Sequence, residues 1–321
     1  MRLLHFDETG ELRWTVFKKD AIPPYAILSH TWGDDEVTYE DLINKTAEQK
    51  IGYEKIQFCG QQVVRDGLQY FWVDTCCIDK RNLSEVSRSI NSMFRWYQNA
   101  VKCYAFLSDV STFGLRNLQR QRNRWESNFR SSRWFTRGWT LQELIAPTTV
   151  EFFSSQSHLL GDKISMEQLI HEITNIPVEA LKGSPLQNFS NADRMTWAKN
   201  RQTTEEEDSA YCLLGIFGVF LPLIYGEGKS NAMNRLREQI NKANFSTDLG
   251  VPQEYNRSCK LMIHEVKYVL ILLVFVPERN ENFVGRSNIL ENIKHQLDPS
   301  LSGNSTTSQS RLALFGLGGV G

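Results

Sequence analysis

The chain has 321 residues, with 36 Lys and Arg against 37 Asp and Glu and a formal charge of -1. That length supports one large domain or two ordinary ones, each with a real core, and the charge balance excludes a global basic field drawing the protein to nucleic acid or an anionic membrane. Six cysteines, Cys59, Cys76, Cys77, Cys103, Cys212 and Cys259, show no CxxC pair and no Cys/His ligand spacing, so no metal site is expected.

The cysteines read as buried thiols in a reducing compartment. The start, MRLLHFDETGEL, is too briefly apolar for a signal peptide. The most hydrophobic run, YVLILLVFV at 268–276, is too short to cross a bilayer as a helix. Together these features predict a cytoplasmic protein without a membrane span.

In chain order, 3–17 reads as a hairpin around the Asp7-Glu8-Thr9-Gly10 turn signal, standing before the main sheet. After Pro23-Pro24 the run 25–29 (YAILS) is a buried strand leading into His30, Thr31 and Trp32. Apolar positions between 50 and 68 suit a one-faced helix closed by Asp66-Gly67. A second strand, 70–73 (YFWV), ends at Asp74, and Asn82 with Glu85 opens a helical stripe through Val86, Ile90, Met93, Phe94 and Tyr97. Strands at 101–107 and 149–153 follow, separated by a polar insertion at 115–130 and by the stretch 131–147 (SSRWFTRGWTLQELIAP).

Strand and helix in alternation predict an α/β fold, a parallel sheet flanked by helices. Ligands of such sheets sit at the carboxyl ends of the strands. Ser29, His30, Asp74, Asp79, Ser108 and Asp109 fall on that edge. Glu143 lies between the third and fourth strands, on the polar margin of a short amphipathic helix. Helices are also expected at 166–181, within the apolar 208–225, and at 231–240, followed by a linker-like composition from 246 to 282. At 312–321, LALFGLGGVG matches the start of a phosphate-binding loop without its lysine and Ser/Thr. The ATP/GTP site is therefore incomplete in this chain.

Three blocks, YAILSHTWG at 25–33, YFWVDTCCIDK at 70–80 and WFTRGWTLQELIAP at 134–147, together with Thr203-Thr204, EDSAYCLLGIF at 207–217 and YGEG at 225–228, resemble the heterokaryon incompatibility (HET) domain of filamentous fungi. The resemblance covers 1–245. Glu205 departs from it, because the family usually has arginine after the Thr-Thr pair. FVGR at 283–286 with the glycine-rich end resembles the entry to NB-ARC or NACHT-type ATPases, so 283–321 reads as the truncated start of such a domain.

The resemblance implies a cell-death effector domain of an NLR-like receptor that acts in fungal incompatibility. It also implies kinship with TIR domains, whose flavodoxin-like sheet agrees with the one read here. Trp139 to Leu144 is similar to the TIR block Trp-Cys-Leu-x-Glu-Leu, whose glutamate contacts the ribose of NAD and is required to cleave the nicotinamide bond. On that basis Glu143 is the catalytic candidate and NAD the expected substrate, with no permanently bound cofactor. Ser29, His30, Trp32 and Asp74 shape the nucleotide pocket, and Arg133 and Arg137 meet phosphates. Self-association on activation is the expected partnership.

Plainer readings stand beside these. Most helix glutamates are solvated, a histidine after a strand is more often hydrogen-bonded structure, Asp74 and Asp79 suit capping, and Trp134 and Trp139 suit a core. The alternative function is a non-catalytic module that signals death by recruiting partners.

Overall fold

The computed structural model describes residues 1–114 and 122–248. The chain divides into two compact units, Met1–Ser258 and Cys259–Gly321. The second unit lies outside the described residues, and with it Cys259, the 268–276 run and the expected nucleotide-binding start at 283–321. Most of the expected linker, 246–282, lies outside them too.

Seven strands form one sheet: β1 (Arg2–Phe6), β2 (Leu12–Val16), β3 (Tyr25–His30), β4 (Tyr70–Trp72), β5 (Lys102–Leu107), β6 (Val150–Ser154) and β7 (Leu159–Asp162). Their order is β2-β1-β4-β3-β5-β6-β7. The four central strands are parallel, as the alternation of strand and helix predicts. The sheet as a whole is mixed, which corrects the expectation of a purely parallel one. The N-terminal hairpin does not merely precede the sheet but joins its edge, β1 running antiparallel to β4 through Leu4 and Phe71. β7 adds a second antiparallel edge behind an irregularity at Phe152/Phe153.

Counted among themselves, the parallel strands lie in the order 2-1-3-4. The chain therefore steps to one side of β3 for β4 and to the other for β5. A crevice forms outside the carboxyl ends of the strands at such a reversal.

The period of two along each strand divides the core between the sheet's faces. On one face Tyr104, Phe106 and Phe153 pack against Phe58 of α2 (Tyr53–Arg65). On the other, Phe152 meets Phe129, Trp134 and Phe135, and Cys103 faces α6 (Thr140–Ile145) through its thiol, 3.8 Å from the Glu143 carbonyl.

The remaining helices follow from local signals. α1 (Tyr39–Asn44) opens with a capping box from Thr38 and Asp41. α3 (Asp74–Cys77) is a single turn directly after β4. α4 (Leu83–Asn99) is capped by Asn82, whose side chain accepts from Glu85 N. α5 (Arg122–Arg130) forms the second half of the polar insertion.

Beyond the sheet comes a helical extension: α7 (Glu167–Thr174), α8 (Val178–Leu181), α9 (Asn191–Thr196), α10 (Asp208–Tyr211), α11 (Leu214–Phe217) and α12 (Gly228–Asp248). The single helix expected at 166–181 is two, because Asn175 takes a left-handed conformation (φ 56) before Pro177. The apolar 208–225 holds two one-turn helices ended by Gly218 at φ 65. Cys59, Cys76, Cys77, Cys103 and Cys212 are free and buried. No helix among the described residues is long and apolar enough to cross a membrane.

Candidate functional site

β3 ends in Ser29 and His30, and α6 passes behind this end with Glu143. All six residues of α6 are buried, and Glu143 is 6% exposed. The polar margin expected for Glu143 is therefore corrected: Gln142 and Glu143 are enclosed, because α6 packs against β3, α4 and α8 and the Glu143 side chain turns inward to Ser29 and Tyr97.

A short relay holds the carboxylate. Trp134 Nε1 donates to Ser29 Oγ at 2.7 Å, and Ser29 Oγ donates to Glu143 Oε2. With the hydroxyl's acceptor side occupied by the indole, its proton points at the glutamate. The Tyr97 hydroxyl also bears on Glu143 and donates to Leu28 O at 3.2 Å. Burial is the largest influence on the carboxyl and pushes its pKa up to about 8, with the Asp74 charge adding to it and the Ser29 and Tyr97 hydroxyls opposing it.

Two cations fix α6 from inside the protein. At its start Arg201 Nη1 donates to Thr140 Oγ1 at 2.8 Å and to Arg137 O at 2.9 Å. At its end Lys163, 1% exposed, donates from Nζ to Leu144 O at 3.3 Å and to Pro147 O. A cation is favourable at a helix carboxyl end. Burial lowers Lys163 to about 8 and Arg201 to about 10.

Glu143 faces a cavity of about 470 Å³ at the carboxyl edge of the sheet. One wall is apolar, made of Ile78, Leu83, Val86, Ile90 and Met93; His30, Trp32, Asp74, Lys80, Arg137, Trp139, Thr204, Glu205, Asp208 and Tyr225 supply polar and aromatic groups. That volume lies in the range of small-molecule sites, and a mostly apolar lining with a few placed polar groups is their usual chemistry. Trp32 Nε1 donates to Asp74 Oδ2 at 2.9 Å, and the Lys80 ammonium sits 3.6 Å from the Trp32 ring centroid. One face of Trp32 is thus already taken by a cation. Burial lowers the Lys80 pKa, with Asp74 and Glu36 opposing the shift. Trp139 Nε1 and Tyr225 OH each donate to Asp208 at 2.9 Å, so both oxygens of this acid are satisfied while burial raises its pKa.

The structure brings together Glu143, His30, Trp32, Asp74 and Arg137 around the cavity, with Ser29 directly behind Glu143. Arg133 is not among the lining residues; its side chain is exposed and its backbone N donates to Asp109 Oδ2 at 2.7 Å. Asp109 caps that turn, also accepting from Ser132 Oγ at 2.7 Å. Asp79 accepts from Arg81 N at 3.1 Å, a local turn role. Sequence reasoning passed over Lys80, Asp208, Tyr225 and Arg201. Lys80, Asp208 and Tyr225 stand inside blocks that carry the HET resemblance, which was the available signal; Arg201 carried none, because its contacts with the start of α6 are with residues some sixty positions earlier. No cluster of three or more His, Cys, Asp or Glu able to hold a metal occurs among the described residues.

Fold and site together define an α/β domain with an enclosed carboxylate where the order of the four central parallel strands of a mixed sheet reverses. Residues 25–119 match the family model described as heterokaryon incompatibility protein (HET). Over 245 residues, 75% of its length, it is 58% identical to the vegetative incompatibility protein HET-E-1 of Podospora anserina. The matched stretch makes up 18% of that relative. No solved structure matches the chain.

Proposed function

We propose that this chain is the effector part of a fungal incompatibility protein and that it acts by cleaving NAD at the bond between nicotinamide and ribose. The observation that carries the reading is Glu143: a carboxyl enclosed on all sides except the cavity, and aimed there by the Trp134–Ser29 relay. The likeness to a vegetative incompatibility protein supports the biological role. The 2-1-3-4 order of the parallel strands supports kinship with the TIR fold.

The chemistry follows from charge. As neutral nicotinamide departs, the ribose becomes oxocarbenium-like, and a carboxylate in a water-poor cavity stabilises that charge far better than it would in water. The free Glu143 carboxyl, with a pKa of about 8, is largely protonated at neutral pH. The pyridinium of NAD brings a positive charge to the cavity and favours its ionised form. Lys80 and Arg137 are the cations available to the diphosphate, and the apolar wall on α4 suits a flat base. Self-association on activation belongs to the same proposal.

The test is nicotinamide release from NAD by the 321-residue chain, assembled through an added oligomerising tag. Wild type should release nicotinamide, and Glu143→Ala should lose about 100-fold or more. Equal release from both would defeat the assignment.

A further inference from the structure

We propose that His30 is the base that activates water for the hydrolytic step, with Asp74 and Glu36 positioning it and stabilising its protonated form; the inference rests on the reading of Glu143 given above. His30 ends β3 immediately after Ser29, and its ring lines the cavity that Glu143 faces. The residue is 7% exposed, yet neither ring nitrogen has a hydrogen-bond partner among the described residues. A buried polar group left without a partner costs about 1–3 kcal/mol. Such a group in a cavity wall marks a place where something entering the cavity completes the hydrogen bonding.

The surroundings fit a proton acceptor. Nε2 stands 3.7 Å from Glu36 Oε2 and 3.9 Å from Asp74 Oδ1, beyond hydrogen-bond reach but close enough for charge. Both acids are already engaged: Glu36 by Gly33 N at 2.7 Å and by Lys55, Asp74 by Trp32 Nε1. They are thereby held in place as fixed negative charges. Burial keeps the resting ring neutral, reinforced by Lys55 and Lys80 and opposed by Asp74 and Glu36. A neutral ring has the lone pair a base needs, and the two carboxylates favour the imidazolium once a proton arrives.

The step balances. The ribose C1–N bond breaks and its electron pair leaves with nicotinamide, which becomes neutral. A water oxygen bonds to C1, its proton passes to a His30 ring nitrogen and then to solvent, and Glu143 stabilises the charge without taking a proton. Exchange of nicotinamide for an added pyridine base needs Glu143 but no proton acceptor. This separates the two residues.

The experiment measures NAD hydrolysis and exchange with an added pyridine base on the same assembled 321-residue chain. His30→Gln should lose hydrolysis by about 100-fold while exchange stays within about threefold, and Glu143→Ala should lose both. Should His30→Gln fail to melt cooperatively, Asp74→Asn leaves the imidazole in place and should depress hydrolysis relative to exchange by about tenfold. His30→Gln hydrolysing like wild type, or losing both reactions in parallel, overturns the role of His30. A wild type that exchanges without hydrolysing overturns the base alone; a wild type that does neither overturns the reading of Glu143 and this inference with it.

Discussion

Glu143 sits where stability and chemistry pull apart. Its folded pKa of about 8 lies above the ordinary 4.5, so between those values the folded chain holds a proton that the unfolded chain has lost. The group's contribution is fully present below about pH 4.5 and is lost as pH rises toward 8. At about 1.4 kcal/mol per pKa unit, the loss by pH 8 is on the order of 4–5 kcal/mol. Glu143→Gln removes the ionisation and keeps an oxygen for Ser29 to donate to. Its melting temperature should exceed wild type by several degrees at pH 8 and converge with it near pH 4.5, read by thermal denaturation across pH. A wild type at least as stable at pH 8 would contradict the burial argument.

The same group predicts a pH–rate profile. If the carboxylate is the acting form, kcat/KM for nicotinamide release rises with pH and levels off above about 8, because that parameter reports the free protein. A profile that falls through this range would make the protonated acid the acting form.

At the scale of the element, α6 is positioned by residues distant in sequence. Arg201 holds its start and Lys163 its end, and both come from segments after the fourth parallel strand. This explains how far the site was legible. The period of the strands and the polar residues at their carboxyl ends placed Ser29, His30 and Asp74 on one edge, and the structure puts them there. The local pattern of TLQELI put Glu143 on a polar margin, and nothing within that segment announces its enclosure by Ser29 and Tyr97 or the packing of α6 on α8. The resemblance to HET and TIR blocks, not the periodicity, singled out Glu143.

Helix packing around the site gives a sharper test. A Cβ built on Gly215 of α11 would lie 2.1 Å from Phe94 Cβ and 2.3 Å from Phe94 Cγ. These atoms are the stem of the ring side chain and cannot swing aside, so α4 and α11 are locked at a spacing only glycine permits. Gly215→Ala should destabilise the domain by about 1–3 kcal/mol, seen as a lower denaturant midpoint with an unchanged slope. A neutral Gly215→Ala would mean that the two helices separate freely.

For the whole molecule, the four parallel strands and their crossovers were readable because each is a short apolar run bounded by turn signals. The mixed character of the sheet was not. β1 reaches β4 through one residue pair, Leu4 and Phe71, and β7 is a short edge strand, LLGD, whose glycine and aspartate argue against a strand by composition. Long-range pairing of this kind leaves no local trace. The split of 166–181 was legible in principle, since Asn175 and Pro177 are helix-ending residues. The relative at 58% identity matches over a stretch that is 18% of its own length, so what the matched stretch does is the question this domain poses.

The most direct measurement compares wild type with Glu143→Gln, taking melting temperature and nicotinamide release from the same samples of the assembled 321-residue chain at pH 8. The account predicts a variant that melts higher than wild type and releases nicotinamide about 100-fold more slowly. A variant that is folded and equally active would contradict it.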